Sequence, residues 1–235
     1  MMKKMTRSIK IFLFIITVIT ILVKPAFAYE LERYYPLGQG DGWTYTVIDD
    51  EEIEKETLKI EGEETIDGKN TVKISSDDDD YEFIGIDPEG VKIYKDFGED
   101  GYEIYNPPMM NIPRIAMGEN SEYSFARILY DLKRNKIEES NNIIKITLEA
   151  IKDVEVAAGK FSGCLKYRSI REERKESHDF TEREICTVWL APNVGMVKEV
   201  CVGDEYNEEE KKMEISTQKS ELISAIIGGK KIGNP

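Results

Sequence analysis

Apolar and polar residues alternate along most of this chain with a period of two. Leu58 and Ile60 are interleaved with Thr57, Lys59 and Glu61; Val72 and Ile74 with Thr71 and Lys73; Ile144, Ile146 and Leu148 with Lys145, Thr147 and Glu149. Successive side chains of an extended strand point to opposite faces, so each run offers one face to a core and one to water. That is the pattern of antiparallel sheet. Turn-forming residues separate the runs: Asp67-Gly68, Pro88-Glu89-Gly90, Glu99-Asp100-Gly101 and Pro192-Asn193-Val194-Gly195. Asp-Gly suits a two-residue hairpin, because both central residues can take positive φ.

The runs predict strands at 43–49, 54–63, 70–76, 81–87, 90–95, 102–106, 121–132, 143–156, 161–172, 181–191, 195–203 and 211–225. Helix is scarce: a turn over Leu31 to Tyr35, and Phe125 to Lys136, which reads either as a short helix or as a strand. About a dozen strands is more than an open sheet usually holds without curling or splitting. The expected class is therefore mainly β, either a curled antiparallel sheet (half-barrel) or two packed antiparallel sheets. A curled sheet encloses an apolar concave face of the kind that takes small ligands.

One domain is expected over 29–227, followed by a flexible tail at 228–235. Two similar halves could meet near 106–118. Gly38 precedes Trp43 and Tyr45 as Gly118 precedes Tyr123 and Phe125, and the prolines Pro107, Pro108 and Pro113 lie between. Proline removes ladder donors, so this link is expected as loop or sheet edge.

The N-terminus carries Lys3, Lys4, Arg7 and Lys10, then an apolar run from Ile11 to Val23, then Lys24, Pro25 and Ala26-Phe27-Ala28. This is the layout of a secretory signal peptide over 1–28, cleaved after Ala28. The run is shorter than the ~20 apolar residues of a membrane span. No cysteine precedes Cys164, so no lipid-attachment cysteine stands near the cleavage site. The expected destination is periplasmic or extracellular, with no stable membrane anchor. The leader holds five basic residues and no acid, so its removal takes the formal charge from −14 to −19. Nucleic-acid binding needs a basic stripe and is excluded as a partner class.

No motif for nucleophilic, zinc or phosphate chemistry is present. His178, the single histidine, sits in the charged run from Arg171 to Glu184 and reads as a surface residue. Asp77 to Asp80 is the one metal-like feature. An EF-hand beginning there would need Gly where Glu82 stands and an acid where Pro88 stands, so a solvated turn is the better reading. No catalytic, cofactor-binding or metal-ligating residue is assigned. Trp43 and Tyr45 share one strand face and should plug one end of the core, while Trp189 begins a tight hairpin that Gly195 turns. Cys186 and Cys201 flank that turn. If Ala191 pairs with Met196, the same register sets the two cysteines directly opposite, where a disulfide can form, with Cys164 left as a buried thiol. A turn one residue different would separate them, leaving three reduced cysteines as the alternative.

Three blocks carry a family resemblance: Tyr35-Pro36-Leu37 with Gly42-Trp43-Thr44-Tyr45; Val154 to Phe161 followed by Cys164-Leu165-Lys166-Tyr167; and Trp189 to Lys198. In this order they resemble the exported bacterial TapB-like proteins and related domains of unknown function, over roughly residues 34 to 200. The resemblance implies an antiparallel β fold akin to the LolA-like half-barrels that carry lipid chains, and it implies no catalytic residues. The chain departs from it in Leu190, where an aromatic is common, in two further cysteines and in its acidity.

The function expected is non-catalytic binding of an apolar or amphipathic small molecule, or of an envelope protein. A structural or assembly protein with a fully packed interior is the first alternative. A carboxylate-based hydrolase is the second, and clustered, partly buried acids in a cleft would favour it.

Overall fold

The computed structural model describes residues 30–49, 52–77, 80–175, 181–207 and 212–233. The expected leader, His178, Asp78 and Asp79 lie outside the described residues. One helical turn, α1 (Leu31–Tyr34), precedes thirteen strands: β1 (Gly42–Asp49), β2 (Glu52–Ile66), β3 (Lys69–Ser75), β4 (Tyr81–Ile86), β5 (Gly90–Gly98), β6 (Gly101–Pro113), β7 (Asn120–Asp131), β8 (Lys136–Val156), β9 (Gly159–Lys175), β10 (Glu182–Ala191), β11 (Gly195–Asn207), β12 (Lys212–Ile227) and β13 (Lys230–Gly233). The stretch that read as helix or strand is strand β7. No helix among the described residues is long and apolar enough to cross a membrane.

Each strand pairs antiparallel with the next in sequence. The sequence predicts a half-barrel or two packed sheets, and the structure is neither. β1 also pairs with β12, from Gly42 opposite Ile226 to Asp49 opposite Gln218, and closes a full twelve-strand barrel. Right-handed twist accumulates over long strands, and closure satisfies the unpaired backbone groups of the two edge strands. β13 then pairs with β12 from Ser224 opposite Gly233 to Ile227 opposite Lys230, so part of the expected tail is strand.

Asp41 fastens the seam. Its side chain is 4% exposed. Oδ1 accepts the Gly228 N–H at 2.7 Å and Oδ2 accepts the Gly38 N–H at 3.1 Å. The entry to β1 is thereby tied to the exit from β12.

The inward-facing phase of the strands supplies the core. Tyr45, Ile60, Ile84, Met110, Ile146, Leu148, Leu165, Leu190 and Leu222 are all fully buried. The expected proline-rich link is part of β6 and opens no gap between halves. After Asn106 opposite Ala126, β6 leaves β7 and pairs only with β5, which gives the prolines a side without ladder bonds. Its departing half places Met110 and Ile112 in the core, and the Tyr167 hydroxyl donates to the Pro113 carbonyl at 3.2 Å. A twelve-strand barrel is wider than the eight-strand barrel whose side chains just fill it. α1, with Leu31 1% exposed, and the β6 segment supply part of the missing volume.

Candidate functional site

The barrel interior is not completely filled. A cavity of about 280 Å³ lies against Tyr35, Trp43 and Tyr45, with Pro36, Leu58, Ile74, Ile93, Ile112, Val188, Leu190 and Met196 completing its apolar wall. Its polar lining is Asn111, Glu82 and Glu199. A second, more open and more polar cavity of about 440 Å³ shares Leu58, Ile74 and Glu82 with the first. Its lining includes Glu54, Glu56, Asp80, Glu82 and Asp96, with Lys55.

The sequence places these groups by phase. Trp43 and Tyr45 are two apart on β1 and point the same way, 6% and 2% exposed. The Trp43 Nε1–H donates to the Val194 carbonyl at 2.6 Å, and the Tyr45 hydroxyl donates to the Met196 carbonyl at 3.0 Å. Both rings are thus held by the β10–β11 hairpin, with their bodies against the cavity. Tyr35 accepts a long hydrogen bond from Asn111 Nδ2 at 3.5 Å, and burial pushes its hydroxyl pKa far above the usual value.

Acids occupy the same inward phase. On β4, Glu82 shares its face with Ile84; on β2, Glu56 with Leu58 and Ile60; on β11, Glu199 with Val197 and Cys201. Glu82 stands opposite Asp96, and Asp96 opposite Glu103, so three carboxylates cross β4, β5 and β6 side by side. Like charges directly opposite are destabilising. Arg127 answers one end of this row. Its guanidinium pairs with Glu103 at 2.6 Å, Glu173 at 2.7 Å and Glu138 at 3.1 Å. No such partner meets Glu82 or Glu199 among the described residues.

The titration of these groups follows from burial first and neighbouring charge second. The Glu82 carboxyl is pushed up to about 8 by burial, with Asp96, Glu56 and Glu199 adding to it. Glu199 is pushed up to about 7 by burial, then by Glu184 and Glu56. Asp96 rises to about 6 through burial and the charge of Glu103, against a hydrogen bond from the Phe97 N–H.

None of these acids was singled out by motif. A carboxylate in the apolar phase of a strand is nevertheless a signal, and Glu56, Glu82 and Glu199 all show it. Of the residues that were singled out, Trp43 and Tyr45 reach the cavity. Trp189 lies half-buried between its cross-strand neighbours Lys166 and Lys198. Three ammonium groups approach its ring, at 5.4 Å from Lys152, 5.7 Å from Lys166 and 5.8 Å from Lys198. Of the acidic run, Asp77 is in a turn, and Asp80, whose carbonyl accepts the Ser76 N–H, reaches the open cavity. Cys186 and Cys201 form a disulfide, and Cys164 is a buried thiol. One set of metal-ligand residue types comes together among the described residues, Glu184 with Cys186 and Cys201. The disulfide removes both thiolates, so this set is not a metal centre.

Neither a protein-family model nor a curated protein matches the chain. Two solved structures are similar at low identity. One is a "putative lipoprotein" from Parabacteroides distasonis ATCC 8503, with 17% identity, TM-score 0.44 and coverage of 80% of this chain and 97% of the other. The second is a "putative exported protein with YmcC-like fold" from Bacteroides fragilis NCTC 9343, with 13% identity, TM-score 0.35 and coverage of 80% and 96%.

Proposed function

We propose that this chain is an exported, non-catalytic binding protein that takes a small amphipathic ligand into the barrel interior. The carrying observation is the cavity itself, with three aromatic residues, a proline and seven aliphatic or thioether side chains around a few convergent polar groups. That composition is what a small-molecule site requires, and the volume lies near the lower end of the ~300–1,000 Å³ usual for such sites. The leader pattern at 1–28 supports export to the periplasm or beyond. A fully packed assembly barrel would leave no such space.

Titration of the native monomer with an environment-sensitive apolar dye tests this reading. Saturable binding that small amphiphiles displace is expected. Leu58→Trp, which fills the wall shared by both cavities, should abolish it while the far-ultraviolet β spectrum is kept. Absence of saturable dye binding would favour the assembly reading.

A second reading, a carboxylate-based hydrolase, is favoured by one observation: Glu82 and Asp96, directly opposite, are held at about 8 and 6. A general acid and its ionised partner need such a separation. The pair meets only in the open chamber, beside Glu54, Glu56, Asp80, Lys55, Ser76 and Gln218, and Asp96 does not line the apolar cavity. Turnover of aryl glycosides, lost in Glu82→Gln, would establish the hydrolase in place of the binding protein.

A further inference from the structure

We infer that the ligand of this cavity carries a cationic head, as a small alkyl- or aryl-ammonium amphiphile does, with the ammonium between Glu82 and Glu199 and the apolar body along the Tyr35, Trp43 and Tyr45 wall. The inference rests on the binding reading above and names the chemistry that site selects.

Three independent features of the geometry converge. First, the polar groups that face the apolar cavity are two carboxylates and one amide, with no basic side chain in its lining. Second, neither carboxylate has an ion-pair or hydrogen-bond partner among the described residues. Of the guanidiniums in the inward phase, Arg127 is already committed to Glu103, Glu138 and Glu173, and Arg171 to Glu184. A buried carboxylate without a counter-charge is costly, and a cation delivered to it recovers that cost. Third, the neighbouring wall is made of Tyr35, Trp43 and Tyr45, and aromatic faces attract alkylammonium groups in desolvated sites.

The approach to the cavity carries the same sign. The open chamber adjoining it is lined by Glu54, Glu56, Asp80 and Asp96 against Lys55. Low-dielectric walls lined by one sign of charge concentrate the opposite ion. An anionic head, such as that of a fatty acid, would have to pass this chamber and then sit among carboxylates.

Around Glu82 the charged groups are Asp96 on β5, Glu56 and Lys55 on β2 and Glu199 on β11; around Glu199 they are Glu56 and Glu184 on β10, the latter paired with Arg171 on β9 at 3.2 Å. Lys55 and the paired Arg171 apart, all are acids. A bound ammonium therefore favours the ionised form of both carboxyls, so binding releases protons and strengthens as pH rises through their titration.

The test uses three probes of equal chain length, octyltrimethylammonium, octan-1-ol and octanoate, displacing an apolar dye from the exported chain at pH 8.5 and pH 5.5. The quaternary head keeps its charge at both. At pH 8.5 the ammonium should displace the dye at a concentration lower by about tenfold or more than either of the others. At pH 5.5 that preference should shrink. In the Glu82→Gln, Glu199→Gln double variant it should vanish at both pH values, so that octyltrimethylammonium and octan-1-ol displace the dye at equal concentrations. Equal displacement by all three probes, or better displacement by octanoate, would overturn the cationic head and leave the binding reading intact. No dye binding at all would overturn both.

Discussion

The indole of Trp43 donates its Nε1–H to the carbonyl of Val194 at 2.6 Å, across 151 residues of chain. This one bond joins the first strand of the barrel to the turn between β10 and β11. It also satisfies a turn carbonyl that faces the core, and it holds the ring against the cavity. Trp43→Ala should destabilise the protein by about 3–5 kcal/mol, the range for removing a buried aromatic ring. Trp43→Phe keeps most of the apolar surface and loses the hydrogen bond, for about 1–2 kcal/mol. Denaturant midpoints with unchanged slope would measure both.

Trp189 should behave differently, although both tryptophans stand beside turn signals in the sequence. Its ring is half-buried and stacked under Lys152, Lys166 and Lys198. Partly exposed cation–π contacts contribute roughly 0.5–1 kcal/mol. Trp189→Ala should therefore cost about 1–2 kcal/mol, clearly less than Trp43→Ala, with dye binding unchanged. A loss as large as that of Trp43→Ala would place Trp189 among the core residues.

The seam gives a third prediction. Asp41 accepts from Gly38 and Gly228 with separate carboxylate oxygens. Asp41→Ala would leave two backbone donors near the barrel seam without their acceptor, at about 2–4 kcal/mol. Asp41→Asn keeps one carbonyl oxygen and should cost less. Amide exchange at Gly228 should quicken in both variants, and more in Asp41→Ala.

The fold was largely legible because period-two alternation is a local property. Leu58 and Ile60, or Ile144, Ile146 and Leu148, declare their face wherever the strand ends up. Barrel closure is not local. Whether Gly42 meets Ile226 depends on the accumulated twist and on register shifts such as those at Thr44/Tyr45 and Ile60/Gly62, which no alternation records. The cavity acids were missed for a related reason. Among 46 acidic residues, Glu56, Glu82 and Glu199 differ only in the phase they occupy. That difference becomes visible once the apolar phase of each strand is fixed.

The cysteine pair shows how register can be right for a reason the sequence does not show. The expected register pairs Ala191 with Met196, whereas Ala191 lies opposite Gly195 and Leu190 opposite Met196. A bulge between Trp189 and Leu190 then takes up one residue, so that Trp189 meets Lys198 and Cys186 meets Cys201. The two Cα atoms are 4.1 Å apart, as in a close non-hydrogen-bonded pair. Peptide mapping without reductant should find Cys186 linked to Cys201. With a sequence separation of 15, replacing both by serine should cost about 3 kcal/mol. Cys164, 0% exposed and with its thiol pushed up to about 11 by burial and by Asp153, should resist alkylation until the protein unfolds.

The inward acids should also make the free protein less stable as pH rises. Glu82, Glu199 and Asp96 have folded-state values of about 8, 7 and 6, above their ordinary values of 4.5, 4.5 and 3.8. Between those limits the folded protein holds protons that the unfolded chain has already lost, so stability falls with increasing pH. The contribution is complete below about pH 4 and is lost by the time pH passes about 8. Asp87, Glu32 and Glu221 act in the opposite sense. Hydrogen bonds from Lys92, Arg114 and Lys198 outweigh burial and hold these carboxyls below their ordinary values, so their contribution is lost only on acidification below the usual carboxylate range. The thermal midpoint should therefore decline from about pH 5 to pH 8.5, most steeply at about pH 5–6, where all three carboxyls are protonated in the folded protein and ionised in the unfolded chain. Glu82→Gln with Glu199→Gln should flatten that decline and raise the midpoint at pH 8.5. Saturating octyltrimethylammonium should do the same for the unaltered protein, because the bound cation stabilises both ionised carboxylates. A midpoint that rises steadily over this interval would show that the two carboxyls titrate in contact with water.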